Sequence, residues 1–162
     1  MTDLAEINKR SISKKIEDRR EAAELLKAQF SSLTNRDRAW QDLHRLTQDK
    51  SSCVRFIAAY ALGSAFSLVP DQDQAWQDLH RLTQDEDSDV RWNAVYALRS
   101  VFSLVPDKDQ AWQDLVRLIQ DEDSNVRWNA AHILESSFSQ VPDKDLAWQD
   151  LIRLTQDKDG NM

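Results

Sequence analysis

Two glycines and three prolines in 162 residues leave little material for tight turns, so most of the chain has to lie in long regular elements with short connections. The single cysteine, Cys53, rules out an internal disulfide framework and fits a reducing, cytoplasmic setting. No apolar run is long enough to span a bilayer, and Met1 to Arg10 lacks the apolar centre of a secretory leader. A glycine-rich phosphate loop is also missing. What remains is 41% hydrophobic and 30% charged, the composition of one folded domain. The net charge of −7 is unevenly spread. Up to Trp40 there are nine basic and seven acidic residues, and beyond it twelve basic and twenty-one acidic, so a mildly basic start precedes an acidic body.

That body is a repeat. Trp40, Trp76, Trp112 and Trp148 follow one another at intervals of thirty-six residues, and Asp71 to Pro106 reappears almost letter for letter from Asp107 to Pro142. A fixed period in this range marks a solenoid, in which each unit buries its apolar surface against its neighbours.

Each unit encodes two helices. Asp71 or Asp107, three residues before Gln74 or Gln110, suits the start of helix A, where a side-chain oxygen satisfies a free amide. Ala75, Leu79 and Leu82 form one apolar row and Trp76, His80 and Thr83 a second, with Gln77, Asp78, Arg81 and Gln84 expected in water. The acidic run Asp85 to Asp89 breaks the pattern, and Asp87 or Ser88 caps a helix B that runs to about Leu104. Its buried face is Val90, Ala94, Ala97, Leu98, Val101 and Phe102, and Val105-Pro106 ends it.

This helix-turn-helix unit, with Asp49, Asp85 and Asp121 in the turns and the pairs Val54-Arg55, Val90-Arg91 and Val126-Arg127 opening helix B, resembles the HEAT repeat family, including its shorter archaeal and bacterial forms. The resemblance implies an all-α fold, a right-handed α-α superhelix of about four and a half repeats. It also implies an Asp/Arg ladder between repeats, with the second helices lining a concave surface. Helix A lacks the proline of many family members and should be straight. Helix packing distances put the advance at roughly 10 Å per repeat.

The single solenoid divides as a degenerate capping repeat over 1–34, full repeats over 35–70, 71–106 and 107–142, and a half repeat over 143–162. In the cap, Asp18 to Leu33 reads as a helix B; before it, Arg10 replaces an expected leucine in a short first helix. Its basic residues are interleaved with Glu17, Asp18, Glu21 and Glu24, whereas a phosphate-binding face needs an unopposed positive field. At the other end Trp148, Leu151, Ile152 and Leu154 belong to a helix A with no helix B after it. This helix either leans on the third repeat with some exposure or meets another chain, which makes self-association an expectation for that end.

Catalytic constellations are scarce. Asp85, Asp87 and Asp89 have the alternate spacing of a calcium loop, but Val90 replaces the required glycine and Tyr96 the bidentate glutamate, so no metal is expected there. His44 and His80 share their position with Val116 and Ile152, a packing site, and no Ser-His-acid or Cys-His set concentrates in one region. No catalysis and no cofactor are expected.

Comparison of the copies isolates the surface that varies. Helix B presents Phe56, Tyr60 and Gly63, then Trp92, Tyr96 and Arg99, then Trp128, His132 and Glu135, on the side away from the Val-Ala-Leu core. Aromatic rungs beside an arginine are what the energetic centres of protein interfaces use. The expectation is a non-catalytic scaffold that binds a basic or amphipathic protein or peptide through these rungs, with no membrane partner. The alternatives are a nucleic-acid-binding array or a regulatory subunit of an enzyme. Whether Trp92 and Trp128 face the partner or pack between B helices is left open by the residues. The helix A tryptophans, flanked by leucines in every copy, belong to the core. Trp112→Ala is therefore expected to cost about 3–5 kcal/mol in urea unfolding, and a loss under about 1 kcal/mol would refute the burial.

Overall fold

The computed structural model describes residues 3–156, and these form nine α-helices and no strand. The first two helices are α1 (Leu4–Ser11) and α2 (Ile16–Gln29). Three A/B pairs follow: α3 (Arg36–Leu46) with α4 (Ser52–Ala65), α5 (Gln72–Leu82) with α6 (Ser88–Val101), and α7 (Lys108–Leu118) with α8 (Ser124–Ser137). A further A helix, α9 (Lys144–Gln156), follows. No described helix is long and apolar enough to cross a membrane.

The starts of the A helices and of α6 and α8 are set by side-chain caps. Asn35, Asp71 and Asp107 each accept a hydrogen bond from the amide three residues on, and Asp143 accepts from Leu146 in the same way. Asp87 and Asp123 cap α6 and α8, each accepting from two backbone amides. Helix α6 ends at Val101, three residues before the expected Leu104. There the amides of Leu104 and Val105 both turn back to the Val101 carbonyl, forming a tight turn ahead of Pro106. The chain passes from α2 into a short 3-10 turn, Phe30–Ser32, and from α8 into a matching one, Phe138–Gln140.

Two layers result. The B helices pack directly along one another, α4 on α2, α6 on α4 and α8 on α6, burying Val54, Ala58, Leu62, Val90, Ala94, Leu98, Val126, Ala130 and Leu134. Contact is closest between α4 and α6, where Gly63 sits against Ala97: a Cβ added to Gly63 would lie 2.6 Å from the Ala97 Cβ. The A helices lie outside this layer and contribute Trp40, Trp76 and Trp112 to the core, with the leucines that follow them.

A polar ladder fixes the spacing of the repeats. The Arg55 guanidinium donates through Nε and Nη2 to both carboxylate oxygens of Asp85 at 2.7 and 2.8 Å, and through Nη1 to the Asp49 carbonyl in its own turn. Arg91 does the same one repeat on, with Asp121 and the Asp85 carbonyl, and Arg19 of α2 reaches Asp49. Each arginine thus joins its own turn to the next, pairing with the aspartate thirty residues on in the bidentate geometry that suits guanidinium and carboxylate. Arg127 donates to the carbonyls of Asp121 and Glu122, while Asp157, thirty residues past it, lies outside the described residues. The aspartates also hold their own turns, since Asp49, Asp85 and Asp121 accept from the amides of Ser51, Asp87 and Asp123.

The pair Arg91–Asp121 is nearly out of water, both side chains being 8% exposed. Its loss is expected to be costly: Arg91→Ala leaves a buried carboxylate and should cost about 3–5 kcal/mol in urea unfolding at neutral pH. Burial raises the Asp121 carboxyl, but hydrogen bonds from Arg91 and the Asp123 amide outweigh it and hold the group below its ordinary value of 3.8. A depressed acid stabilises the fold above the unfolded value and ceases to as pH falls through the folded one. The Asp121 part of the stability is therefore expected to fade below pH 3.8 in the native chain and to be diminished in Arg91→Ala. Gly63→Ala is expected to lower the melting temperature. The clash with Ala97 costs about 1–3 kcal/mol, more than the roughly 0.5–1 kcal/mol that alanine ordinarily gains over glycine inside a helix.

Candidate interaction surface

The B-helix layer brings the expected rungs onto one face. Phe56, Tyr60, Tyr96, Arg99, Trp128, His132 and Glu135 are all exposed, and Trp92 is half-buried against the core. The rungs are stacked as well as aligned. The Tyr60 and Tyr96 rings lie 6.2 Å apart and 11° from parallel across the seam between α4 and α6, and Trp92 stacks on Tyr96 at 5.8 Å. Farther along, Trp128 stacks on His132 at 5.8 Å. The two tryptophans thus differ: Trp92 is partly covered, whereas Trp128 is 71% exposed.

Two contributions to this face are not evident from helix B alone. In α2 the same rung positions hold Arg20, Glu24 and Lys27, and Lys27, paired with Glu24, places its ammonium 5.2 Å from the centre of the Tyr60 ring. The signal was available, because Lys27 stands thirty-six residues before Gly63. The second is the asparagine after each rung tryptophan. Asn93 and Asn129 are buried and donate to the carbonyls of Phe56 and Trp92 on the preceding helix, so the Trp-Asn pair turns one side chain outward and ties the other inward.

The A-helix layer corrects one expectation. Asp78, placed in water from periodicity, is 2% exposed, and Asp42, Asp114 and Asp150 are buried too. Each is held by polar groups of the preceding repeat and by the arginine three residues on. Asp78 accepts from His44 and Arg81, Asp114 from His80, with Arg117 alongside at 3.5 Å. Asp42 accepts from Asn8, Ser11 and Arg45, and Asp150 from Trp112, Gln113 and Arg153. Arg81 and Arg117 also reach back to the carbonyls and hydroxyls of Thr47 and Thr83. Burial raises the Asp114 carboxyl, partly offset by His80 and Arg117.

Chemically these groups are committed. The Nε2 atoms of His44 and His80 meet Gln48 and Gln84, so the His-Asp pairs act as repeated struts. Of the turn aspartates once read against a calcium loop, Asp85 holds Arg55 and Asp87 caps α6. Among the described residues no group of three or more His, Cys, Asp or Glu is placed to hold a metal ion.

Helix α9 leans on the third repeat. It buries Ala147 and Asp150, and Phe138 sits edge-on between Trp112 and Trp148. Trp40, Trp76 and Trp112 are in the core as expected, but Trp148 departs from them and is 58% exposed. Leu146 and Ile152 are exposed beside it on the same helix.

Comparison with known proteins agrees with this architecture. No curated protein matches the chain. An engineered protein of known crystal structure is 25% identical with a TM-score of 0.62, covering 98% of this chain and 74% of its own. A computationally designed armadillo repeat protein for modular peptide recognition is 20% identical with a TM-score of 0.64, over 98% of this chain and 76% of the other. A designed armadillo repeat protein in complex with the peptide (KR)4 is 21% identical with a TM-score of 0.65, over 94% and 70%. The family model for HEAT repeats matches residues 10–99 and 79–161. With the ladder of Arg19, Arg55 and Arg91 in place between repeats, the chain belongs to the HEAT repeat family.

Proposed function

We propose that this protein is a non-catalytic scaffold that binds an extended polypeptide segment along the B-helix layer. The observation that carries the reading is the stacked row Trp92, Tyr96 and Tyr60, continued by Trp128 and His132. The close packing of the B helices on one another supports their forming the inner side of the superhelix, with the row along it. Mutual stacking holds the rings in place before a partner arrives, which lowers the ordering cost of binding. A basic or amphipathic partner suits a chain of net charge −7, and the ammonium of Lys27 over the Tyr60 ring supports the same choice. The designed armadillo protein bound to (KR)4 supports the same choice by likeness of fold. A cytoplasmic setting agrees with the single cysteine.

The test compares the native chain with a Trp92→Ser, Tyr96→Ser, Trp128→Ser variant shown by circular dichroism to keep its helices. Both are titrated with a synthetic alternating Lys-Arg peptide and used, with nuclease present, to capture proteins from source lysate. Captured proteins are then purified and their direct binding measured. Affinity is expected to fall by more than about tenfold in the variant, as for loss of central aromatic anchors. Equal binding by both would overturn the reading and move the site to α9, where Trp148 and Ile152 offer a surface for self-association. Retention on heparin with a steep salt dependence would favour nucleic acid instead.

A further inference from the structure

The seam between α4 and α6 opens into a notch of about 330 Å³ beside the Tyr60–Tyr96 stack. Its floor is Phe66 and Val101, both buried, and its far rim is Leu104, 45% exposed. Gly63, Ser64, Ser67, Ala97 and Ser100 complete it. Gly63 sets this position apart from the later copies, since it stands where they carry Arg99 and Glu135.

Two properties identify what fits. In a chain that is 30% charged, no Asp, Glu, Lys, Arg or His lines the notch, so a cationic side chain entering it would lose water and find no counter-charge. An aliphatic or aromatic side chain would instead cover Phe66, Val101 and Leu104, and the volume lies at the small end of ligand pockets, suited to one anchor residue. The hydroxyls of Ser67 and Ser100 bond no other described residue and stand at the same opening, whereas Ser64 donates to the Tyr60 carbonyl.

We infer that this notch is the specificity pocket of the surface: it takes one uncharged anchor side chain of the partner, of leucine to phenylalanine size, while Ser67 and Ser100 meet the backbone of that residue. The inference rests on the polypeptide-binding reading of the rungs and adds a requirement they do not make. The partner must carry an apolar residue at one fixed position among its basic ones.

The experiment selects from a displayed library of random peptides on the native chain. Peptides retained by it and lost on the triple rung variant are expected to share one Leu, Ile, Met or Phe position. Alanine there should weaken binding roughly tenfold. Filling the notch by Ser100→Phe, or independently by Ser67→Phe, should weaken it as much, with helicity unchanged. Rung-dependent peptides that bind both filled variants as tightly as the native chain, or whose dominant position is Lys or Arg, would overturn the notch and leave the scaffold reading standing. Recovery of no rung-dependent peptide would count against the scaffold reading itself. In that case a titration with N-acetyl-leucine methylamide, followed by the amide resonances of Ser64, Ala97 and Ser100, decides the notch alone: saturable shifts abolished by Ser100→Phe support it, and their absence overturns it.

Discussion

The bidentate pair between the arginine that opens each helix B and the aspartate of the next turn is the constraint on which the rest depends. Apolar packing between B helices stabilises the array but is tolerant of sliding, since Val, Ala and Leu faces mate in more than one register. The guanidinium fork is not tolerant. Arg55 must meet both oxygens of Asp85 while its third nitrogen holds the Asp49 carbonyl, and this fixes one turn against the next in distance and rotation. Stacking of Tyr60 on Tyr96 at 6.2 Å follows from that register, as does the reach of Asn93 to the Phe56 carbonyl. The surface proposed to bind a partner is therefore positioned by buried ion pairs on the turns, away from the rungs themselves.

Much of this was legible in the chain. The period of thirty-six set the phase at which the helix pairs recur, the apolar rows located both helices, and the capping aspartates located their starts. The burial of Asp78 was not. Helical periodicity assigns a residue to water or to core by its angle and its polarity, and an aspartate beside Gln77 reads as solvated. One of its partners, His44, lies thirty-four residues earlier in the chain, so that interaction is invisible within one unit. Constancy between copies did not settle it either, because Gln77 and Arg81 are as constant as Asp78 and stay exposed. The spacing of His44 before Asp78 and of His80 before Asp114 was the signal that distinguishes it.

The rungs show the converse limit. Their alignment on one face was readable from spacing, but their differing exposure was not, because it depends on what the next helix covers. Trp92 is shielded where α8 packs along α6, and Trp128 has no such neighbour among the described helices. Gly63 is a similar case. As a lone glycine in a helix it reads as a weak point, whereas in three dimensions it is where α4 and α6 come closest and where the adjoining notch begins.

The ladder between repeats runs at a constant offset, thirty residues from arginine to aspartate in each case, and the two histidine–aspartate pairs share an offset of thirty-four. A segment copied in phase therefore arrives with its own donor for the unit after it and its own acceptor for the unit before it. The array can lengthen by whole units, as a gene does by tandem duplication, with no change at the junction. An insertion of any other length would leave an arginine and an aspartate buried apart. The close similarity of Asp71–Pro106 and Asp107–Pro142 has the form such growth would leave; the arginine and aspartate of the ladder recur in both copies, whereas His80, which pairs with Asp114, is replaced by Val116.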